Sequence, residues 1–216
     1  MQIRSLTKLV IAIITASQLS ACGVLAVGGV AAGASVLADR RTPGVQAIDK
    51  GIELEANNAL DKKFGDNAHI NVTSFNQKVL LTGEVKDADV KGEAGAYVKA
   101  MKNVRSSFNE LVIGPNSSYT SRANDSYIES KIKAQMIFTD KLPSNSMVIV
   151  AEGSSVYLMG ILTQNEADLA KKVASNTNGV KDVFVYFDII SEEEKNRLEK
   201  QGKAEQTQSS TPPKFQ

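Results

Sequence analysis

The same strand pattern occurs twice in the sequence, at Lys78–Val85 (KVLLTGEV) and at Ser155–Leu162 (SVYLMGIL). Aligned at an offset of 77 residues, the two stretches share two apolar positions and one glycine, namely Val79 with Val156, Leu81 with Leu158 and Gly83 with Gly160. A pattern that returns at a fixed spacing is typical of an internal repeat. The neighbouring sequence is therefore expected to repeat as well.

The flanks of both stretches repeat in the same order, at an offset of 76 residues. Upstream, an amphipathic pattern recurs, in which Asp49, Ile52, Ala56 and Leu60 match Asp125, Ile128, Ile132 and Met136. Downstream, a second pattern recurs, in which Ala94, Val98 and Val104 match Ala170, Ala174 and Val180. Three blocks in one order indicate two copies of a unit of roughly 65–70 residues, near the lower limit for an independent core.

Each copy predicts the element order α-β-β-α-β. An amphipathic helix that opens with aspartate, a favoured N-cap residue, precedes an antiparallel hairpin. A second helix then leads through a right-handed crossover into a parallel strand, which is clearest at 183–189. The first helices are predicted at 49–60 and 125–136, the hairpin turns at 76–77 and 152–154, and the second helices at about 88–102 and 164–176. We expect an α+β fold, with two helices and a small three-stranded mixed sheet in each unit.

The first residues have the features of a bacterial lipoprotein signal. Arg4 and Lys8 precede an apolar run, and the segment ends in Leu19–Cys22 (LSAC), which resembles a lipobox. The sequence predicts a signal peptide over 1–21 and a diacylglyceryl group with acyl chains such as palmitate on Cys22, which would hold the protein firmly to a membrane. The alternative is an uncleaved signal anchor over 9–38.

Residues 22–46 are predicted to be a Gly/Ala-rich tether that lies against the lipid surface. The residue after the cysteine is Gly23, whereas an aspartate there would resemble an inner-membrane retention signal. We therefore expect the protein in the inner leaflet of the outer membrane, facing the periplasm of a Gram-negative bacterium.

Composition excludes several classes of protein. The 216 residues carry 25 basic and 24 acidic side chains, a balance that argues against a nucleic-acid partner. One cysteine and one histidine exclude a disulfide framework and a metal site built from several Cys or His ligands. His69 is predicted to be a polar residue at a loop or strand edge. No catalytic motif occurs, so we expect no enzyme activity, no metal and no cofactor beyond the lipid on Cys22.

The repeated strand–glycine–helix pattern resembles the BON domain. The phrases that carry the resemblance are Ala68–Thr73, Lys78–Leu81, Asn124–Ile128 and Leu158–Gly160. Two such units behind a lipobox resemble the dual BON-domain outer-membrane lipoproteins, the DolP (YraP) family. The resemblance implies BON domains over 47–114 and 120–190. After them, an S-x-x-E capping box at 191–194 predicts a short charged helix over 192–201, and the polar composition of 202–216 predicts a disordered tail within the segment 191–216.

One surface of the helix at 125–136 is predicted to bind lipid. If Ile128, Ile132 and Met136 face the core, apolar and aromatic residues remain outside it with lysines around them, which suits shallow insertion among anionic headgroups. The resemblance implies the same helix as a phospholipid site, with Tyr127 where a Trp is familiar. The predicted site is Tyr127, Lys131, Lys133, Ala134, Ile137, Phe138, Lys141 and Leu142. The alternative is that Tyr127 and Phe138 pack against the first repeat.

The resulting expectation is a lipoprotein that binds phosphatidylglycerol and cardiolipin through its second BON domain. The resemblance implies a role in envelope integrity, concentrated where the membrane is curved or dividing. The alternative is an assembly factor that binds the outer-membrane β-barrel machinery, with incidental lipid contact.

Overall fold

The computed structural model describes residues 39–65 and 68–209. The described residues form one compact unit, and the predicted α+β fold of two tandem α-β-β-α-β copies is confirmed. The first copy comprises α1 (Pro43–Phe64), β1 (Ala68–Phe75), β2 (Lys78–Val85), α2 (Ala88–Ala100), β3 (Ser106–Asn109) and β4 (Val112–Ile113). The second copy comprises α3 (Tyr119–Phe138), β5 (Met147–Glu152), β6 (Ser155–Leu162), α4 (Gln164–Ser175) and β7 (Asp182–Ile189), and α5 (Glu192–Ser209) follows it.

The aspartates predicted to be N-caps do not cap their helices, and that prediction is wrong. α1 and α3 each begin six residues earlier, where the side chains of Thr42 and Ser118 accept backbone N–H groups. Asp49 and Asp125 are buried and accept N–H groups from the hairpin turn of their own copy, at 2.7–2.8 Å from Asn76 and Gln77 and at 2.9–3.1 Å from Gly153 and Ser154. Each aspartate therefore ties the first helix to the hairpin.

The third strand of the first copy is interrupted. In both copies the hairpin is antiparallel and the next strand runs parallel to its second arm, as predicted. In the first copy, however, β3 and β4 both pair with β2, which gives four strand segments instead of three. The Asn109 amide lies at the break, where its oxygen accepts the N–H of Leu111 at 3.4 Å and its nitrogen donates to the Lys91 carbonyl at 2.8 Å.

The repeated glycines mark a close approach between backbones. Gly83 has a φ of +112°, and a Cβ there would lie 1.9 Å from the carbonyl oxygen of His69 in the paired strand. At Gly160 a Cβ would lie 2.9 Å from the carbonyl oxygen of Ser146, without a positive φ. Both positions therefore need glycine, because a side chain there would collide with the backbone at the first hairpin arm. The requirement is stricter at Gly83 than at Gly160.

Each copy has its own core, and the two sheets share a third cluster. In the central strands, alternate residues face the helices of their own copy, while the others face the second sheet. Strands buried on both faces read as nearly continuous apolar runs, which explains the two stretches that reveal the repeat. The shared cluster is centred on Phe75, Leu80, Tyr157, Met159 and Ile161, and ring pairs such as Phe108 with Tyr186, 4.1 Å apart, extend it.

The C-terminal segment is more helical than the sequence predicts. α5 continues to Ser209, whereas disorder was expected from residue 202, and 210–216 lie outside the described residues. Ile190 and Leu198 pack against the shared cluster, which gives this charged helix an apolar contact. Within 39–65 and 68–209, no helix combines the length and the apolar character needed to cross a bilayer.

Candidate functional site

α3 has a buried face and an exposed apolar face. Ile128, Ile132 and Met136 are at most 1% exposed, so the predicted core stripe is confirmed. On the surface of the same helix, Tyr127 is 64% exposed and Phe138, the last residue, is 89% exposed. Rings exposed to this extent bury little area against the first copy, which argues against the alternative that they form the domain interface. The sheets form that interface instead.

The exposed apolar residues gather at the C-terminal end of α3. Ile137 is 54% exposed beside Phe138, and Ala134 lies exposed one turn earlier. Leu142 is different, because it is only 6% exposed and packs in the core of the second copy. Its predicted contact with lipid is therefore corrected. The chain turns inward after Lys141, whose φ of +65° marks the reversal.

The three predicted lysines differ in how accessible their ammonium groups are to a ligand. Lys131 donates to the carbonyl of Asn178 at 3.2 Å and lies 5.9 Å from the Tyr127 ring, while remaining near the surface. Lys141 is exposed. Lys133 is partly buried and donates to the carbonyl of Ser144. Burial lowers its pKa, against the opposing effect of the nearby Asp39 carboxylate. Lys131 and Lys141 are therefore the cations available to a ligand.

The N-terminal chain enters the folded unit beside this end of α3. Asp39, the first described residue, is close enough to Lys133 to affect its pKa. The next residue, Arg40, has a fully buried side chain, which donates to the carbonyl of Ile161 at 2.9 Å. It also pairs with Glu166 at 2.7 Å and with Glu199 of α5 at 2.8 Å. Residue 40 is therefore fixed to the second copy, although it precedes the first in the chain. Cys22 and the rest of 1–38 lie outside the described residues.

Sequence reasoning missed this ion-pair network. Glu166 lies in the first turn of α4, where its carboxylate accepts the backbone N–H of the N-cap residue Thr163 at 2.8 Å. Its partner Arg40 lies 126 residues away in the chain. Burial opposes ionisation of Glu166, but hydrogen bonds from Arg40 and the Thr163 N–H, with the charges of Arg40 and Lys195, outweigh it and lower its pKa. The one sequence feature that pointed to the contact between Arg40 and Glu166 is that Arg40 closely follows the apolar segment 23–38.

A second polar group lies where the two copies meet. His69 Nδ1 is 3.0 Å from Glu84 Oε2, and Glu152 of the second copy accepts a hydrogen bond from Asn71 at 2.9 Å. Burial raises the pKa of Glu152, and the charge of Glu84 adds to that effect. His69, Asn71 and Glu152 line a cavity of about 500 Å³ between β1 and β5.

Comparisons with known proteins agree with the repeat. A BON domain model matches residues 48–115 and 124–187. The outer membrane lipoprotein DolP of Haemophilus influenzae is 32% identical over 189 residues, which cover 87% of this chain and 98% of that protein. A 21 kDa hemolysin of Actinobacillus pleuropneumoniae is 29% identical over 154 residues, which cover 70% of this chain and 79% of that protein.

Among solved structures, CdsD, a structural protein of the type III secretion system of Chlamydia trachomatis, is 11% identical with a TM-score of 0.28. The match covers 74% of this chain and 99% of that chain.

Proposed function

We propose that this chain, which belongs to the DolP family of BON-domain proteins, is an outer-membrane lipoprotein that binds anionic phospholipid through α3. Acylation of Cys22 would hold it in the inner leaflet, with the two domains in the periplasm. Its role would be to maintain envelope integrity, including at sites of division.

The observation that carries this proposal is the exposure of Phe138 and Ile137 at the end of α3. An aromatic ring and a branched aliphatic side chain, left in water beside two accessible lysines, fit the boundary between lipid headgroups and acyl chains. Burying such a side chain contributes roughly 1.5–3 kcal/mol. Lys131 and Lys141 would add about 1 kcal/mol each near an anionic surface, and salt would weaken that part.

The path of the chain supports the same orientation. Arg40 donates to the carbonyl of Ile161, whose own N–H donates to the carbonyl of Ser146 shortly after α3, so a chain that arrives from a membrane-anchored Cys22 would enter the fold near the end of α3. Arg40 then fixes this entry point by its buried contacts. The anchor and the apolar tip would therefore approach the bilayer from the same side of the second domain.

Vesicle sedimentation of residues 37–216 tests the proposal without the acyl chains. We expect binding to vesicles of phosphatidylglycerol and cardiolipin that weakens at high salt, and that falls about tenfold in Phe138→Ala. The matched control is Leu54→Ala, since Leu54 is 56% exposed on α1, the corresponding helix of the first copy. Absence of binding by the folded protein, or an equal loss in both variants, would contradict a lipid site on α3.

A second candidate function is protein binding by β7. This strand lies at the edge of the second sheet, and it exposes Phe184, Val185 and Ile189 by 40–52%. Such an edge can pair with a strand of another protein, and the candidate partner is the outer-membrane β-barrel machinery. Stable co-purification with that machinery that Val185→Lys abolishes, in a chain that does not bind vesicles, would favour this alternative.

A further inference from the structure

We propose that His69, Glu84 and Glu152 form a binding site for a divalent transition-metal ion where the two BON domains meet. His69 lies in β1 and Glu84 in β2 of the first domain, while Glu152 ends β5 of the second. One ligand atom from each of the three side chains lies within 4.8 Å of the other two. The set exists only when both domains are folded and packed together.

The spacing is close to what a metal ion requires. First-row ions bind histidine nitrogen and carboxylate oxygen at about 2.0–2.2 Å, so the ligands of a tetrahedral ion lie about 3.3 Å apart. Nδ1 of His69 and Oε2 of Glu84 are already 3.0 Å apart. Glu152 would have to approach by at most about 1.5 Å, which a side-chain rotation can supply.

The charges in the group favour a cation. The side chains of His69 and Glu84 are 17% and 13% exposed, and Glu152 is 9% exposed. Two carboxylates held together with little water between them repel each other. A divalent ion between them would neutralise both charges and remove that repulsion.

The adjoining cavity gives access and room for water ligands. Its volume is about 500 Å³, and His69 and Glu152 belong to its lining. Glu53 and Glu129 line it as well, outside the set of three ligands. Three protein ligands and an open position for water are a common arrangement around zinc.

The donor set indicates the class of ion. One imidazole nitrogen with two carboxylate oxygens suits Zn²⁺, Mn²⁺, Fe²⁺ or Co²⁺, whereas Mg²⁺ and Ca²⁺ prefer oxygen alone. Sequence spacing could not reveal the set, because the three residues belong to different strands and the second copy has Ser146 in the place of His69.

Calorimetric titration with Zn²⁺ alone tests the site. The sample is the untagged full chain in detergent, with any free thiol blocked by iodoacetamide. We expect saturable binding of one ion per chain, accompanied by a rise in Tm because the ion binds only the folded domain pair. His69→Gln and Glu152→Gln should each weaken binding about tenfold or more.

Glu129→Gln is the matched control, because it removes a partly buried carboxylate from the same cavity but not from the proposed ligand set. Its zinc affinity should stay within about twofold of the parent chain. The absence of saturable binding up to about 1 mM Zn²⁺ would overturn the proposal. An equal loss in all three variants would overturn it too, since it would indicate a diffuse acidic surface. Circular dichroism checks that each variant is folded. If His69→Gln is unfolded, the zinc affinities of the parent chain and of Glu152→Gln still test the proposal.

Discussion

The first helices of the two domains have the same construction but opposite outer surfaces. Both begin at a hydroxyl N-cap, bury an aspartate that holds the hairpin turn and pack three apolar residues in the core. At the outward positions α1 carries Gly51, Glu55, Asn58, Asp61 and Lys62, where α3 carries Tyr127, Lys131, Ala134, Ile137 and Phe138. The difference indicates that the fold depends on the inner face alone, and that the outer face was free to acquire a separate role.

The largest expected contrast between the domains concerns their repeated glycines. Gly83→Ala should destabilise the protein by about 3 kcal/mol or more, because both the positive φ and the His69 carbonyl reject a side chain. Gly160→Ala should cost about 1–2 kcal/mol, because only its neighbours must shift. Urea unfolding of both variants measures the two free energies. Equal losses would show that the repeated glycine serves the same purpose in both domains.

The second largest contrast should appear in acid, which we expect to destabilise the second domain more than the first. The folded-state pKa of Glu166 is lowered, so its ionised form stabilises the second domain above the unfolded-state pKa of about 4.5, and this contribution disappears as pH falls through the lowered value. The first domain has Val90 at the corresponding position. Glu166→Gln should cost about 2 kcal/mol at neutral pH and reduce the loss of stability in acid.

Amide hydrogen exchange, measured as a function of pH, assigns this effect to one domain. Protection in β6 and α4 should fall with acid more steeply in the parent chain than in Glu166→Gln. If the two chains lose protection in parallel, the Arg40 network does not govern the acid response.

The smallest change in stability should come from transferring the outer surface of α3. Asp61→Ile with Lys62→Phe places the α3 tip at exposed positions of α1, so unfolding free energy should change by no more than about 0.5 kcal/mol. In a Phe138→Ala background, the pair should restore part of the binding to anionic vesicles. Sedimentation checks this, and unchanged binding would mean that lipid contact needs the lysines of α3 as well as its apolar tip.

The helices and strands of the repeat were predictable from sequence because their apolar residues recur at short, regular spacings. Ile128, Ile132 and Met136 recur at helical spacing, and burial of all three follows from that spacing. Asp49 misled the prediction of the helix start, because aspartate favours N-caps and nothing local indicates that it accepts the N–H groups of a turn 27 residues away. Leu142 was wrongly assigned to the site, because it lies in a connection, where no regular spacing indicates whether a side chain points to the core or to solvent.

Contacts between distant parts of the chain were not predictable. Arg40 with Glu166, and His69 with Glu152, depend on how the sheets pack, and an amphipathic pattern reports only that a face is buried. α5 was underestimated for a similar reason, because its few apolar residues become significant only when Leu198 meets the shared cluster.

The buried Arg40 side chain also determines how the protein would bear a mechanical load. A pull on the chain upstream of Asp39 reaches the carbonyl of Ile161 and the carboxylate of Glu166 before it reaches the start of α1. The force therefore passes into β6 and α4 of the second domain, while the first helix of the chain is shielded from being peeled away. Under tension, the domain that follows later in the sequence is the first to be strained.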